Sequence, residues 1–436
     1  MTIDFHGIPA HWETTRLDRV ATVNARIGWK NLTAAEYQPD GYPFLATPNI
    51  KNRDIDFQNV NYISQFRYDE SPEIKLSEGD VLLTKDGFTL GTVNIVRSLP
   101  RPATVNGSIA VLRSFDINPT FLYYVIASSP IQAHIWSVKD GMDVLHLFQR
   151  DIKKFPIPLP PLEEQRRIAD FLDIETARIT RLMRLREQQL RLWAERARAL
   201  ASHLVTTGDR AGSRTVDWLG PVPEGWSTPS IGRISRFVRG TTFPHKYQGE
   251  KFGDFPFIKV SDFQNADIVG RMQGAENWIS APTARELGAR IVPPGSILYA
   301  RVGATLLLNR RCITTQPSVI DDNVRAICFD HGDPRFWGGV LSLLDMGQLV
   351  NPGPVPSISE SQVSPIRVPD PDAPTQRKIA DQLEKNLKQW QKARSLVERQ
   401  LKLIDEQRQA LITAAVTGQF DVSTASGRNV TEGVSA

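Results

Sequence analysis

Apolar residues recur with helical spacing over the last part of the chain. Residues 374–416 contain no proline or glycine after the first position, so nothing interrupts a helix there. The apolar positions follow in steps of three, four and seven residues, and Arg394 and Arg408 fill the gaps in the seven-residue steps. These positions are Ile379, Leu383, Leu387, Trp390, Val397, Leu401, Ile404, Leu411 and Ala415. The pattern predicts a helix of ~65 Å with a narrow coiled-coil seam.

A second segment, residues 162–205, repeats this spacing. Its apolar positions are Ile168, Leu172, Ile179, Leu182, Leu190, Trp193, Ala197, Leu200 and Leu204. A seam so long and narrow favours pairing of the two helices with each other. The alternative is that each long helix packs only on its own globular unit. The helices can pair in parallel or antiparallel, and the apolar pattern accommodates both.

The remaining sequence has short strand-like runs rather than helical periodicity. Residues 80–84 and 296–300 are such runs, and they are bounded by the turn signals SEG, KDG and PPG. Prolines cluster in FPIPLPPL and VPDPDAP, just before the two long helices, where a helix cannot continue. We therefore predict a mixed α+β fold with compact α/β units. The predicted domains are 1–158 and 215–370, spacer helices 159–208 and 371–420, and a flexible tail 421–436.

The chain contains an internal repeat of roughly 210 residues. Four collinear pairs support it at offsets of 211–216 residues. They are Trp12 with Trp226, Phe44 with Phe257, Lys85 with Arg301 (followed by Gly87 and Gly303), and Ile168 with Ile379. The helical parts match closely, whereas the globular parts share only scattered landmarks. The repeat therefore predicts one kind of module presented twice with different surface side chains.

Two modules on paired helices have a geometric consequence. Antiparallel pairing relates the copies by a local pseudo-two-fold axis, which is also the symmetry of duplex DNA. Half-sites on one side of a duplex are about 34 Å apart, a separation that a helical rod of ~65 Å can span. Because the modules differ, this arrangement predicts a bipartite, non-palindromic DNA site whose spacing is set by the helices.

Composition narrows the classes of protein. The chain has 436 residues, 41% hydrophobic and 23% charged, with a net charge of +4 and a pI near 9.0. This composition is typical of a globular protein and permits a polyanionic partner without requiring one. Cys312 and Cys328 are too few for a disulfide framework, and seven scattered histidines make a structural zinc site improbable. The N-terminus lacks a signal pattern and no apolar run reaches the ~18 residues of a membrane span. We expect a cytoplasmic protein with reduced thiols.

Several motifs together resemble the specificity subunit of type I restriction–modification enzymes. They are PLPPLEEQRRIADFLD and its echo APTQRKIADQLEKN, the runs GDVLL and GSILY, and the closing LVTTG and AAVTGQFDV. The resemblance covers the chain to about Val422. It implies two target-recognition domains, each reading half of a split DNA site, joined by two long helices in an antiparallel coiled coil.

The resemblance also implies partners. These are double-stranded DNA, two modification (methyltransferase) subunits that bind S-adenosylmethionine and methylate adenine, and restriction (translocase/nuclease) subunits that cleave DNA. It implies that this chain itself carries no cofactor and no catalytic residues. From the residues themselves we expect no metal site and no membrane partner. The second junction has Asp372-Ala373-Pro374 where the first has Pro-Leu-Glu-Glu. This departure weakens one of two otherwise equivalent docking contacts.

Cationic and amide side chains in the globular parts are the candidate DNA contacts. Lys85 and Arg301 follow matching strands, and each precedes a glycine by two residues. The further candidates are Lys51, Arg53, Arg97, Asn49 and Asn106 in the first copy and Lys259, Arg271, Arg310 and Arg311 in the second. For each lysine or arginine the alternative is an ordinary surface charge, and for each asparagine it is a turn residue.

Charged residues at the start of each long helix are the candidate partner-docking face. They are Glu163, Arg166, Arg167 and Asp170 in the first copy and Arg377, Lys378 and Asp381 in the second. Charges that flank a coiled-coil seam commonly serve solubility alone, which is the alternative here. Their recurrence in both copies favours two equivalent partners.

Two further functions are alternatives. A coiled-coil adaptor would hold proteins together without reading DNA. An autonomous metal-dependent nuclease would use the ExK triplet at 73–75 with Asp54 and Asp56 to bind a cation and orient water. The triplet is common by chance and has no match in the second copy. The sequence Asn351-Pro352-Gly353-Pro354 lacks the aromatic residue of an adenine methyltransferase loop, so we interpret it as a turn.

Overall fold

The computed structural model describes residues 5, 7–25, 32–51, 54–141, 145–206, 214–351 and 355–422. Candidate Arg53, residues 352–354 of the predicted turn and nearly all of the predicted tail lie outside these ranges. Contacts divide the chain into two compact units. Unit 1 comprises Met1–Arg186 and Arg399–Ala436, and unit 2 comprises Glu187–Glu398. Each long helix therefore contributes one segment to each unit. The predicted boundaries between globular domains and spacer helices remain a prediction.

Secondary structure in the first half of the chain alternates short strands with helices. The strands are β1 (Glu13–Arg16), β2 (Ala21–Asn24), β3 (Tyr42–Leu45), β4 (Asn61–Ile63), β5 (Val81–Thr84), β6 (Val93–Ile95), β7 (Thr104–Val105), β8 (Ile109–Ser114) and β9 (Pro156–Leu159). The helices are α1 (Gln65–Asp69), α2 (Pro119–Ala127), α3 (Ser129–Val138), α4 (Gln149–Ile152) and α5 (Leu162–Thr206).

The second half follows the same scheme. Its strands are β10 (Arg214–Val216), β11 (Gly220–Val222), β12 (Ser235–Arg239), β13 (Phe255–Ile258), β14 (Asn277–Ile279), β15 (Ile297–Ala300), β16 (Arg311–Ile313), β17 (Val319–Ile320) and β18 (Val324–Phe329). Its helices are α6 (Ala281–Glu286), α7 (Ala304–Leu307), α8 (Pro334–Leu343), α9 (Glu360–Val363) and α10 (Ala373–Val416).

The two units contain the same pair of sheets. In unit 1 the strand orders are β2-β8-β5-β6 and β4-β3-β7, and in unit 2 they are β12-β18-β15-β16 and β14-β13-β17. The four-stranded sheets are antiparallel, and each three-stranded sheet has one parallel pair. Phe44 and Phe257 occupy equivalent central strands, and each lies opposite a residue of the parallel strand. The predicted repeat and mixed fold are therefore confirmed.

Equivalent capping residues start the helix that covers each four-stranded sheet. The Asn118 side chain accepts the Phe121 N–H at 2.9 Å at the start of α2. The Asp333 side chain accepts the Arg335 N–H at 2.8 Å at the start of α8. In both helices a proline follows the cap, where its missing N–H costs no helical hydrogen bond. Local sequence thus fixes where these helices begin.

The two long helices run antiparallel within each unit. In unit 1 the start of α5, around Ile168 and Leu172, shares a core with the end of α10, around Leu411 and Ala415. In unit 2 the end of α5 at Val205 shares a core with the start of α10 at Ile379, Ala380 and Leu383. The structure therefore selects the antiparallel alternative. Their ends at Thr206 and Val416 lie within one residue of the ends of the periodic segments 162–205 and 374–416.

Three predicted seam positions are wrong. In α5, Leu182 is 43% exposed and Leu200 is also exposed, while the neighbouring Met183 is buried, at 4% exposed. A step of three or four residues from Ile179 fits the apolar pattern equally well, and the packing surface selects the step of four. In α10, Arg394 is half exposed and pairs with Glu398 at 2.7 Å.

The other predicted arginine is mostly buried, because the Arg408 side chain is only 12% exposed. Both cysteines are buried and free, and burial raises the pKa of Cys312 to about 12. Within the described ranges no helix carries an apolar stretch sufficient to cross a bilayer. Nor do the described His, Cys, Asp and Glu side chains come together in a group suited to bind a metal.

Candidate nucleic-acid interface

The turn after β5 carries the first-copy candidate Lys85. Its ammonium pairs with Asp86 at 3.0 Å, and the lysine is buried rather than projecting into solvent. Asp86 also binds the imidazole of His146. Backbone hydrogen bonds at 2.8 Å join this turn to the segment around Leu147. The next side chain beyond the left-handed Gly87, Phe88, is 98% exposed.

The equivalent turn after β15 has a different chemistry. Arg301 is partly buried, and its Nε donates to the Asp322 carbonyl at 3.3 Å. Gly303 adopts φ 87° and ψ 178°, a conformation essentially restricted to glycine. Leu307 and Leu308 follow and are exposed. The two turns thus share a backbone role but present an acid–histidine–lysine set in one unit and an arginine in the other.

The other first-copy candidates make contacts within unit 1. Lys51 pairs with Asp56 at 3.0 Å but stays mostly exposed. Arg97 forms a two-pronged ion pair with Asp173 of α5, at 2.7 and 2.8 Å. The Asn106 side chain accepts the Ser108 N–H at 3.1 Å, as in an Asx turn. The buried Asn49 is likewise held in a turn, by hydrogen bonds to Ala46 and Asn59.

The second-copy candidates fall into two groups. Arg310 is exposed, and Lys259 lies at the surface, with its Nζ 3.1 Å from the Gln248 side-chain oxygen. Arg311 is largely enclosed, and burial lowers its pKa to about 10. Arg271 donates to Glu384 of α10 at 2.7 Å. Arg271 and Arg311 are therefore engaged within unit 2, whereas the other two remain available to a ligand.

Two arginines absent from the sequence-based candidates lie beside Arg301. Arg239 ends β12 and pairs with Arg325 of β18 across the sheet. Burial, and next the charge of Arg301, lower the pKa of Arg325. Among the described residues, Arg301 and Arg325 form no ion pair with a carboxylate. Alternate residues of a strand lie on one face of the sheet, so the face of each arginine could be read from the sequence. Which strands are neighbours could not, and the sequence therefore did not indicate that these arginines lie together.

The docking candidates at the helix starts are exposed. Arg166 pairs with Glu163 at 2.6 Å, an ordinary contact one turn apart. Arg167, Asp170, Arg377 and Lys378 are exposed on the same turns. Asp381 is exposed as well but accepts Arg335 at 2.7 Å. In unit 2, therefore, one docking candidate also ties α10 to the globular part.

Each unit also has a cleft between its globular part and the helices. The cleft in unit 1 has a volume of about 520 Å³, with Arg97, Tyr123, Asp173 and Arg408 in its wall. The Nε of Arg408 is buried there without a described hydrogen-bond partner. The cleft in unit 2 is smaller, about 280 Å³, and contains Arg335. Neither cleft brings acids and nucleophiles together in a catalytic arrangement among the described residues.

Comparison with known proteins identifies a matching family model and relatives of this chain. Residues 9–192 match the family model of the type I restriction modification DNA specificity domain. The first part of the chain is therefore similar to the DNA specificity domain of type I restriction–modification systems. It is 23% identical over 206 residues to the type I restriction enzyme MjaVIII specificity subunit of Methanocaldococcus jannaschii, covering 46% of this chain and 47% of that protein. It is 23% identical over 287 residues to the StySPI specificity subunit of Salmonella potsdam, covering 64% and 59%.

A solved structure has the same fold as this chain. The match is to a chain from a study of complex assembly and conformational transition of the type I restriction–modification system. It has a TM-score of 0.71 and 18% identity, and it covers 95% of this chain and 100% of that chain. The sequence relatives are matched over only about half to three fifths of their length. The resemblance inferred from the proline–helix junctions is confirmed.

Proposed function

We propose that this chain is the non-catalytic specificity subunit of a type I complex. It reads a bipartite, asymmetric DNA sequence and directs adenine methylation or cleavage by modification and restriction subunits. One observation carries the proposal. The units repeat the same strand order but differ where a turn follows the equivalent strands, with Lys85 and Asp86 in one and Arg301 in the other. Two units with the same strand order but different surface side chains are suited to bind two different half-sites.

The contacts of the ExK residues favour this role over a nuclease. Lys75 pairs with Asp69, and Asp54 pairs with Arg184 of α5 at 2.8 Å. Asp56 binds Lys51 and caps the turn that follows it, accepting two backbone N–H groups. Lys75, Asp54 and Asp56 are thus each engaged in a separate structural contact. A metal-dependent nuclease would instead need the acids to converge on one cation.

The proposed DNA surface comprises the candidates that stay accessible, together with the turn after β5 that carries Lys85. In unit 1 these are Lys51, Asn106 and the turn after β5. In unit 2 they are Lys259, Arg301 and Arg310. Arg97, Arg271 and Arg311 are left out because each is engaged within its own unit.

The proposed partner face lies on the long helices, away from the seam. The charged residues at each helix start belong to it: Glu163, Arg166, Arg167, Asp170, Arg377, Lys378 and Asp381. Exposed apolar side chains extend it, namely Ile174, Leu182 and Leu185 in unit 1 and Leu192 and Leu396 in unit 2. Exposed leucines on a helix whose opposite side is already packed are typical of a protein interface. The occupant we propose is a modification subunit in each unit.

Methylation by the assembled complex tests the reading role. The chain is co-expressed with its modification partner, and methylated adenines are mapped by sequencing genomic DNA. We expect one split motif. Replacing residues 1–158 with the region of a related subunit changes one half of the motif only, and lengthening residues 162–205 by about two turns alters the spacing. Methyl transfer by this chain alone, or binding of the complex to random DNA as tightly as to every genomic fragment, contradicts the proposal.

Copurification tests the partner face. Leu185→Glu in unit 1 and Leu396→Glu in unit 2 each place a charge in an exposed apolar position, so we expect each to reduce capture of the modification subunit. Gln188→Glu and Gln391→Glu are the matched controls, because they add the same charge at exposed positions of the same helices. Capture that is equal for all four variants excludes these faces.

A further inference from the structure

A lateral row of side chains crosses the four-stranded sheet of unit 2. Arg239 of β12 lies opposite Arg325 of β18. Tyr299 of β15 lies opposite Arg325 and also opposite Arg311 of β16. Directly opposed residues project from the same face of a sheet, and Arg301 follows Tyr299 by two residues and keeps that face. Four cations and a tyrosine thus occupy one face of a sheet.

The equivalent row of unit 1 is apolar. Leu83 takes the place of Tyr299, and it lies opposite Ala110 and Val93. Ala110 stands where Arg325 stands in unit 2. All three unit 1 residues are buried in the core. A sheet face that packs on a core is ordinarily apolar. Unit 1 folds with such an apolar row, whereas unit 2 has charged and polar side chains at the equivalent positions.

Few anionic groups compensate these charges. The Arg239 guanidinium is 3.7 Å from the Glu360 carboxylate, and Arg239 is largely exposed while Glu360 is partly exposed. Arg301 and Arg325 instead donate to one and the same backbone carbonyl, that of Asp322, at 3.3 and 2.9 Å. No carboxylate in the described ranges forms an ion pair with either. Partly buried cations without counter-charges are costly unless an anion joins them.

A polar group beside them is also unsatisfied. The Tyr299 hydroxyl is fully buried and has no hydrogen-bond partner among the described atoms. Burial raises its pKa, and next the charge of Arg325 opposes that rise. The tyrosine therefore stays neutral, able to donate its proton. An unpartnered buried donor next to a set of guanidinium groups is uncommon in a folded protein, and it adds to the uncompensated polarity of this face.

We propose that Arg239, Arg301 and Arg325 form a phosphate-binding cluster in unit 2 that holds the DNA backbone. This inference rests on the proposed function. A phosphate suits the cluster better than a base edge, because guanidinium groups match phosphate oxygens in paired hydrogen bonds. Guanine, in contrast, is read by one extended arginine on two acceptor atoms. In the described part of unit 1, Ala110 stands at the position of Arg325, so the proposed salt-dependent anchoring differs between the two half-sites.

The test uses the full chain assembled with its modification partner and a duplex that contains the mapped target motif. The dissociation constant is measured as a function of KCl concentration for Arg239→Gln, Arg301→Gln and Arg325→Gln. Each lost phosphate contact lowers the slope of log K against log salt by about 0.9. We expect that change, with binding weakened about three- to tenfold on target and non-target DNA alike.

Arg236→Gln is the matched control. Arg236 is exposed on the same strand, β12, but has the opposite parity to Arg239 and so projects from the other face. We expect it to leave the salt slope unchanged. Because Arg325 is partly buried, its variant is compared with the exposed Arg239 variant, and thermal unfolding of each confirms the fold.

Three outcomes overturn the inference. If the salt slopes of Arg239→Gln and Arg301→Gln equal that of Arg236→Gln, the cluster does not bind a DNA phosphate. A change in base preference at one motif position shows base reading instead. If the variants lose binding of inorganic phosphate but keep the salt slope of DNA binding, the cluster is a site for free phosphate and not for the DNA backbone. If the unaltered complex binds without sequence preference, the proposed function itself fails, which separates the two results.

Discussion

Gln165 and Gln376 make the same hydrogen bonds in the two units, 211 residues apart. The Gln165 Oε1 accepts the Asn118 N–H at 2.8 Å, and the Gln376 Oε1 accepts the Asp333 N–H at 3.0 Å. Each amide also donates to the carbonyl of the proline five residues before it, at 2.9 and 3.0 Å. Both glutamines are buried. Each therefore joins the first turn of a long helix to the cap of the helix on the adjacent sheet.

Gln376→Leu should destabilise unit 2, because it leaves the Asp333 N–H and a carbonyl buried without partners. The expected loss is ~1–3 kcal/mol in the free energy of unfolding. Urea unfolding of the full chain measures it, and hydrogen exchange at the start of α8 locates it. Gln382→Leu changes an exposed glutamine of the same helix and should have little effect. Equal stability of the two variants would show that the conserved geometry of the buried amide is not stabilising.

The phase of the α5 seam is tested by two adjacent residues. Met183→Ala removes a buried side chain and should cost ~2–5 kcal/mol. Leu182→Ala removes an exposed one and should stay within ~0.5 kcal/mol of the original stability. Thermal unfolding of the two variants gives the comparison, with each serving as the control for the other. A larger loss for Leu182→Ala would restore the phase expected from the sequence alone.

Gly303 should tolerate no substitution, although its Cβ would meet nothing within 4 Å. Its φ of 87° and ψ of 178° are strained for any residue with a Cβ, at a cost of about 1–3 kcal/mol. Asparagine, which tolerates the left-handed helical region, does not fit this ψ. We therefore expect Gly303→Ala and Gly303→Asn to lower the unfolding temperature similarly. Gly274→Ala, at an equally open glycine without a positive φ, should not, and a rescue by asparagine would refute the backbone explanation.

Glu384 makes the stability of unit 2 depend on pH. Hydrogen bonds from Lys388, then from Arg271, lower its pKa from 4.5 to about 2. Because the folded-state pKa is the lower one, the stabilisation is complete above pH ~4.5 and is lost as the pH falls towards 2. We expect Glu384→Gln to be less stable by ~1–3 kcal/mol at pH 7, with the difference shrinking between pH 5 and pH 2. Glu398→Gln, at an exposed ion pair, is the control. A difference that does not vary with pH would exclude the carboxylate charge as its cause.

The sequence by itself determined the elements whose signals are local or repeated. The periodic segments 162–205 and 374–416 match α5 and α10 to within one residue at each end, because helical periodicity and helix breaking act over a few positions. The collinear pairs such as Trp12 with Trp226 predicted the repeated module. The proline–helix junctions also indicated the resemblance to type I specificity subunits that the comparisons found.

Only the tertiary structure decided which side chains share an environment. It selected antiparallel pairing and buried Met183 rather than Leu182, since apolar steps of three and four are equally helical. It separated Lys85, neutralised by Asp86, from its sequence partner Arg301. It also brought Arg239 and Arg325 together across strands that are 86 residues apart in the chain. Strand order and register arise from long-range packing, so the charge of a site follows from the fold rather than from any local stretch of sequence.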